Sequence, residues 1–381
     1  MTENAHLYPS PRPKQNGSGG AAQWVVFILA GGLAGYFFAH FELTLLNLPV
    51  ILLMSLLAVW LQTLIHEAGH VIAGSLGGKR LIAAGMGPLR LLRVEGGWRL
   101  QWAGSLQGIG GFAAMYTPHG KIETRRHTAV FILGGPLANL FAVGICLIML
   151  FGISPETTLL LQFLYWQIGI GLVFAGVNLL PLRVGGWCTD GHQLLSLLRE
   201  DSTIPFQLQL SQLIALSMAG VRPRHWPEDL IPARPTESDP AEQRIAIQFF
   251  RMELALDTGN GALAEECAAE LAPMLWDMPD GQRQGIAVLI ALHAAWFLED
   301  RDLLEAWLSL IQGGLVKPDC ARAVLEAESG RLAGDKRTML QALNRAEAAL
   351  PSVIDKASRQ QFQERIADLT RAASLHETRT G

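Results

Sequence analysis

Cysteine is scarce in this chain: 381 residues hold four, Cys146, Cys188, Cys267 and Cys320, and none forms a Cys-x-x-Cys pair. That spacing excludes a disulfide framework and a cysteine-built zinc knuckle, and it fits a reducing compartment for the polar half of the chain. Charge is scarce as well, at 17% Asp, Glu, Lys and Arg. Residues 1–227 carry 14 Lys and Arg against 9 Asp and Glu, whereas residues 228–381 carry 16 against 25. An apolar, mildly basic half therefore precedes an acidic half of soluble character. With a formal net charge of −4, nucleic acid is not an expected partner. A small-x-small cleavage site is missing after the first apolar run, which is expected to remain as an anchor. Residues 1–23, rich in Pro, Gly and polar side chains through Gly20, are expected to form a disordered cytoplasmic tail.

What the first half has is apolar length. Trp24–Phe41, Leu43–Leu64, Thr128–Phe151 and Thr158–Leu180 are each about long enough to cross a bilayer. Lys and Arg are absent from the short loops His40–Glu42 and Gly152–Glu156, but they precede the first run, crowd the interval from Lys79 to Arg126 and follow the fourth run. By the positive-inside rule both termini are cytoplasmic. Between Lys79 and Glu123, Leu89–Val94 and Trp98–Trp102 flank Glu95-Gly96-Gly97 as a hairpin does, and the Gly-rich stretch to Gly111 reads as strand or re-entrant chain. Such a hairpin can either pair with an extended substrate or merely plug the helix bundle. The expected fold is mainly α: a polytopic membrane core of about four helices with a β-hairpin or re-entrant segment, then a soluble helical repeat-like domain.

The second run continues into His66-Glu67-Ala68-Gly69-His70. Ionisable side chains are costly at membrane depth and persist there mainly when they pair, bind a metal or line a wet cavity. Residues four apart share a helix face, so His66 and His70 can converge on one tetrahedral zinc, with Glu67 placed to activate a water. The bland alternative is a pair of helix histidines capped by neighbouring polar groups.

Two further motifs follow in order: Gly134-Gly135-Pro136-Leu137-Ala138-Asn139 in the third run, and Asn178-Leu179-Leu180-Pro181 with Asp190-Gly191 at the end of the fourth. With the histidine motif, they make residues 45–200 resemble the site-2 protease family of intramembrane zinc metalloproteases. The resemblance implies that His66, His70 and Asp190 hold one Zn2+ per chain and that Glu67 activates its water. Asn178 and Asn139, amides in apolar helices, are candidates to bind the substrate backbone or stabilise an oxyanion, or else to join helices by hydrogen bonds. The run Arg183–Thr189 departs from the family pattern by a longer linker and by Thr189 in place of Leu, which leaves Cys188 and His192 open as alternative third ligands. The interval from Lys79 to Arg126 is also too short for the PDZ domain that many relatives carry, which needs about 80 residues.

Residues 24–200 are thus expected to be a transmembrane metalloprotease domain and 201–240 a membrane-surface helix, Phe206–Met218, with a Pro-rich linker. Residues 241–375 read as helical hairpins with spacing near that of tetratricopeptide repeats. They pair Ala241–Leu256 with Ala262–Leu275, Gln282–Leu298 with Asp302–Ile311, and Ala321–Leu332 with Arg337–Leu350, and Ser352–Ser374 caps them. Met274, Trp276, Trp296 and Trp307 are expected in its core. The expected activity is zinc-dependent endoproteolysis, near the cytoplasmic face, of a transmembrane or membrane-associated protein or peptide. Its setting is the lipid of a bacterial inner membrane, and residues 241–375 offer a face to a cytoplasmic protein partner. The alternative is an inactive membrane-anchored scaffold acting through those residues.

Overall fold

The structure, a computed structural model, describes residues 4–11, 32, 48–94, 96–102, 111–121, 123–152, 158–184, 187–199, 203–278, 280–311 and 318–375. It divides into two compact units.

In the first unit, helices α1 (Leu48–Leu76), α2 (Arg125–Gly152) and α3 (Thr158–Leu179) are each long and apolar enough to cross a membrane. They are apolar nearly all round, and large side chains such as Phe141 (72%), Ile148 (73%) and Phe151 (93%) stay exposed. Water would penalise so much bare hydrocarbon, whereas lipid does not. The fourth expected span, Trp24–Phe41, lies outside the described residues apart from Gly32.

Helices α1 and α2 meet backbone to backbone. A Cβ on Gly69 would strike the Gly134 carbonyl, and one on Gly134 would lie 2.5 Å from the Gly69 oxygen, so only glycine permits this approach. Lys79 and Glu123 pair near the end of α1, and Glu123 also accepts hydrogen bonds from Thr117 and Thr128, both at 2.9 Å. This knot ties the start of α2 to the chain that leaves α1.

Four strands follow α1: β1 (Arg80–Met86), β2 (Leu89–Val94), β3 (Gly97–Trp102) and β4 (Gly111–Tyr116). β1 and β4 pair antiparallel, with Leu81 opposite Met115, Ala84 opposite Ala113 and an irregularity between Leu81 and Ala83. β2 and β3 are neighbours and form the expected hairpin, and from Arg90 onward its residues belong to the second unit. The remainder of the Gly-rich stretch, 103–110, lies outside the described residues. After α3, β5 (Arg183–Val184) and β6 (Trp187–Cys188) make a small antiparallel ribbon before α4 (Asp190–Leu198).

In the second unit, α5 (Thr203–Ala219) precedes a series of helices that stand where the hydrophobic periodicity requires them. They are α6 (Ala241–Thr258), α7 (Gly261–Leu271), α8 (Asp280–His293), α9 (Arg301–Leu308), α10 (Asp319–Leu332), α11 (Lys336–Ala349) and α12 (Lys356–Leu375). Side-chain caps from Asn260, Asp300 and Asp335 start α7, α9 and α11. Trp307 and Met274 lie in the core, and Trp276 and Trp296 pack partly buried against it.

Two expectations are corrected here. The apolar stretch 206–218, expected on the bilayer surface, instead buries Leu213 and Leu216 against Trp226 and Phe250. The presumed linker after it is packed as well, with Arg222 buried and paired to Asp257. Composition likewise suggests a disordered tail, yet Asn4–Pro11 is ordered on the helices. Leu7 is fully buried in their core, and the indoles of Trp307 and Trp276 donate to the carbonyls of Leu7 and Ser10 at 2.9 and 2.8 Å. Aromatic N–H groups that need acceptors explain why a polar, Pro-rich segment is held.

Candidate metal centre

His66 and His70 lie on one face of α1, one turn apart, and both are buried. Asp190 opens α4 and is buried beside them. One ligand atom from each falls within 4.8 Å of the others. Asp190 Oδ2 stands 3.2 Å from His66 Nε2 and 3.5 Å from His70 Nε2, and the two Nε2 atoms are 3.1 Å apart. Cys188 and His192 do not belong to this group.

The tautomers follow from the partners. His70 Nδ1 faces the carbonyl of Phe131 at 2.8 Å, which can only accept, so Nδ1 carries the proton. His66 Nδ1 faces Asn139 Oδ1 at 2.7 Å. The Asn139 amide is oriented in turn, because its NH2 donates to Gln62 O at 2.9 Å and to Gln62 Oε1 at 2.7 Å. Gln62 completes the chain by donating to Gln167 O and Oε1 at 3.0 and 2.9 Å. Each histidine thus spends its only proton away from Asp190, and its Nε2 lone pair points toward the carboxylate.

Three lone pairs converging in a buried site repel one another unless a cation lies among them. Asp190 Oδ2 has no hydrogen-bond donor despite its burial. Gly135 packs directly against both imidazoles: a Cβ there would strike His70 Nε2 and lie 2.7 Å from His66 Nε2. Two imidazoles and one carboxylate are the protein donor set of a zinc site that keeps a fourth position for water. The residues present fit the ion.

Asp190 is brought in by local packing. Thr189 caps α4, and its hydroxyl donates to the Leu180 carbonyl at 2.5 Å and accepts from the Leu182 N–H at 3.0 Å. A Cβ on Gly191 would collide with the Leu179 carbonyl. The Thr189 departure from the family pattern is therefore a capping device, and the longer linker is taken up by the β5–β6 ribbon.

Glu67, half-buried on α1, lies against β4, where a Cβ on Gly111 would come within 2.6 Å of Glu67 Oε1. Asn139, open in the sequence to a substrate-facing or a helix-joining role, is fully buried and hydrogen-bonds His66 and Gln62 of α1. Asn178 donates to the Phe174 carbonyl of its own helix at 3.0 Å and is not part of the histidine cluster. Gln62 and Gln167 were missed by sequence reading. Their signal was available, as two amides inside apolar helices, with Gln62 one turn before His66.

Residues 54–159 match the model of peptidase family M50, the site-2 protease family. The matched stretch contains His66, Glu67, His70 and Asn139 and stops short of Asp190. No curated protein and no solved structure matches the chain.

Proposed function

We propose that this chain, whose residues 54–159 match the model of peptidase family M50, is a zinc-dependent membrane endopeptidase of the site-2 type. Its substrates are transmembrane or membrane-associated proteins, cut near the cytoplasmic face. The observation that carries this reading is the convergence of His66 Nε2, His70 Nε2 and Asp190 Oδ2, with both Nδ1 protons committed elsewhere.

His66, His70 and Asp190 would hold the metal. Once bound, zinc supplies Lewis acidity, which makes a water nucleophilic at neutral pH and offsets charge on the scissile carbonyl. Glu67 would accept a proton from the attacking water and donate it to the departing nitrogen. Asn139 and Phe131 O fix the two imidazoles so that no reorientation is needed when charge develops. Asn178 keeps its carbonyl oxygen for a substrate N–H. A helical substrate hides its scissile carbonyl and must unwind locally before it is cut.

Two arguments support an inner-membrane protein with both termini in the cytoplasm. Lys and Arg cluster on one side of the spans. In addition, Asn4–Pro11 packs on the same unit as residues 205–375, so an even number of crossings separates them. The three described helices and the expected span Trp24–Phe41 make four.

The test is co-expression with candidate membrane substrates, together with zinc analysis of purified protein. The wild type is expected to carry one zinc and to cleave. Glu67→Gln should keep the metal and lose cleavage, and His66→Ala and Asp190→Ala should lose both. Identical product patterns from wild type and Glu67→Gln, with no zinc in either, would leave the inactive scaffold as the better reading.

A further inference from the structure

The helical unit holds a partly open cavity of about 700 Å³, walled by α5, α6, α8 and the starts of α10 and α12. This falls in the range of roughly 300–1,000 Å³ in which pockets surround a compact ligand. Phe249, Leu256, Leu289 and Phe362 contribute to a mainly apolar wall. Among the described residues, every charged side chain in that wall is acidic: Glu242, Glu253, Asp319 and Asp355.

Two of these acids differ sharply. Asp355 is occupied, accepting from Ser217 Oγ at 2.8 Å and from the Ala357 N–H at 3.1 Å at the start of α12. Glu253 has no hydrogen-bond or ion-pair partner among the described residues. Burial, with the carboxylates of Asp355 and Asp257 nearby, pushes its acid up to about 8. A carboxyl kept in an apolar cavity without a partner destabilises the fold, and a bound cation would relieve that cost. Asp257 cannot be the receiver, because Arg222 and Arg224 already engage it.

We propose that this cavity receives an apolar peptide segment bearing one lysine or arginine, whose cation pairs with Glu253. This rests on the proteolytic reading above and names its substrate class. Cytoplasmic flanks of transmembrane helices carry basic residues beside apolar ones, which is the complement of an apolar cavity whose charged side chains, among the described residues, are all negative. The surrounding half of the chain is acidic too, with 25 Asp and Glu against 16 Lys and Arg over residues 228–381. In the empty cavity Glu253 keeps its proton at neutral pH, so seating the cation expels that proton. Affinity therefore rises as pH climbs toward 8, by at most about tenfold per pH unit. The other groups facing the cavity are Glu242, Asp319, Asp355 and the Cys320 thiol, itself pushed up to about 12 by burial.

The experiment uses the full chain carrying Glu67→Gln, so that nothing is cut, and fluorescence anisotropy of a labelled, end-capped peptide with one lysine between leucines. Tight binding is expected, weakened about tenfold or more both by Glu253→Gln and by glutamine in place of the peptide lysine. The two changes together should cost no more than either alone. The peptide series reports on unaltered Glu253, so the answer does not depend on the variant folding. Equal binding of the lysine, glutamine and glutamate peptides, or no binding at all, would overturn the proposal. Because binding is read in protein that cannot cleave, failure of this proposal is distinguishable from failure of the protease assignment.

Discussion

The Nδ1 partner of each histidine decides which lone pair is left for a cation. Phe131 O does this for His70 through the backbone, whereas His66 depends on a side-chain series running from Asn139 to Gln62 to Gln167. Removing a group that holds a metal-bound histidine typically costs about 10–100-fold in metal affinity, so Asn139→Ala should weaken zinc binding by that factor. Gln62→Leu should weaken it less, because Asn139 retains the Gln62 carbonyl as an acceptor. Competition against a chelating dye measures both; unchanged affinity in Asn139→Ala would show that the orientation is incidental. At this scale the sequence displayed the candidate ligands, because two histidines at helical spacing in an apolar run have few other uses. It could not show which way an amide faces. Both roles therefore stayed open for Asn139, and Gln62 and Gln167 passed unnoticed.

At the level of elements, the site depends on close approach. Helix α1 reaches α2 through Gly69 and Gly134, and α4 reaches the end of α3 through Gly191. Gly191→Ala would drive a methyl group into the Leu179 carbonyl, and relief of that clash must move the first turn of α4, which carries Asp190. Overpacking of this kind costs about 1–3 kcal/mol. The variant should show reduced zinc content while keeping membrane insertion, and full zinc occupancy would mean that α4 can shift without loss of the ligand. The helices themselves were legible, since apolar length and amphipathic period determine them. The roles of α5 and of residues 221–240 were not. Pro-rich chain with Arg and Trp looks like surface linker until Arg222 is found paired with Asp257 and Trp226 packed on Phe250. Those partners lie more than twenty residues away, beyond any local pattern.

At the scale of the whole molecule, the two ends of the chain share one core. Leu7 is fully enclosed, and Trp307, also fully enclosed, donates to its carbonyl. Leu7→Ala should destabilise the helical unit by about 2–5 kcal/mol, read as a lower unfolding midpoint and faster hydrogen exchange in α9. An unchanged midpoint would mean that the tail rests on the helices without supporting them. Stability should also respond to pH through Glu253. The unfolded chain loses this proton near the ordinary value of 4.5 and the folded one near 8. Between those values the native state holds more protons than the unfolded state, so stability falls as pH rises through the window and levels off above it. The total change is on the order of a few kcal/mol. Glu253→Gln keeps the shape and removes the titration, so its unfolding free energy should stay flat where that of the wild type declines. If both decline alike, the slope belongs to other groups and Glu253 is ionised or solvated in the native cavity.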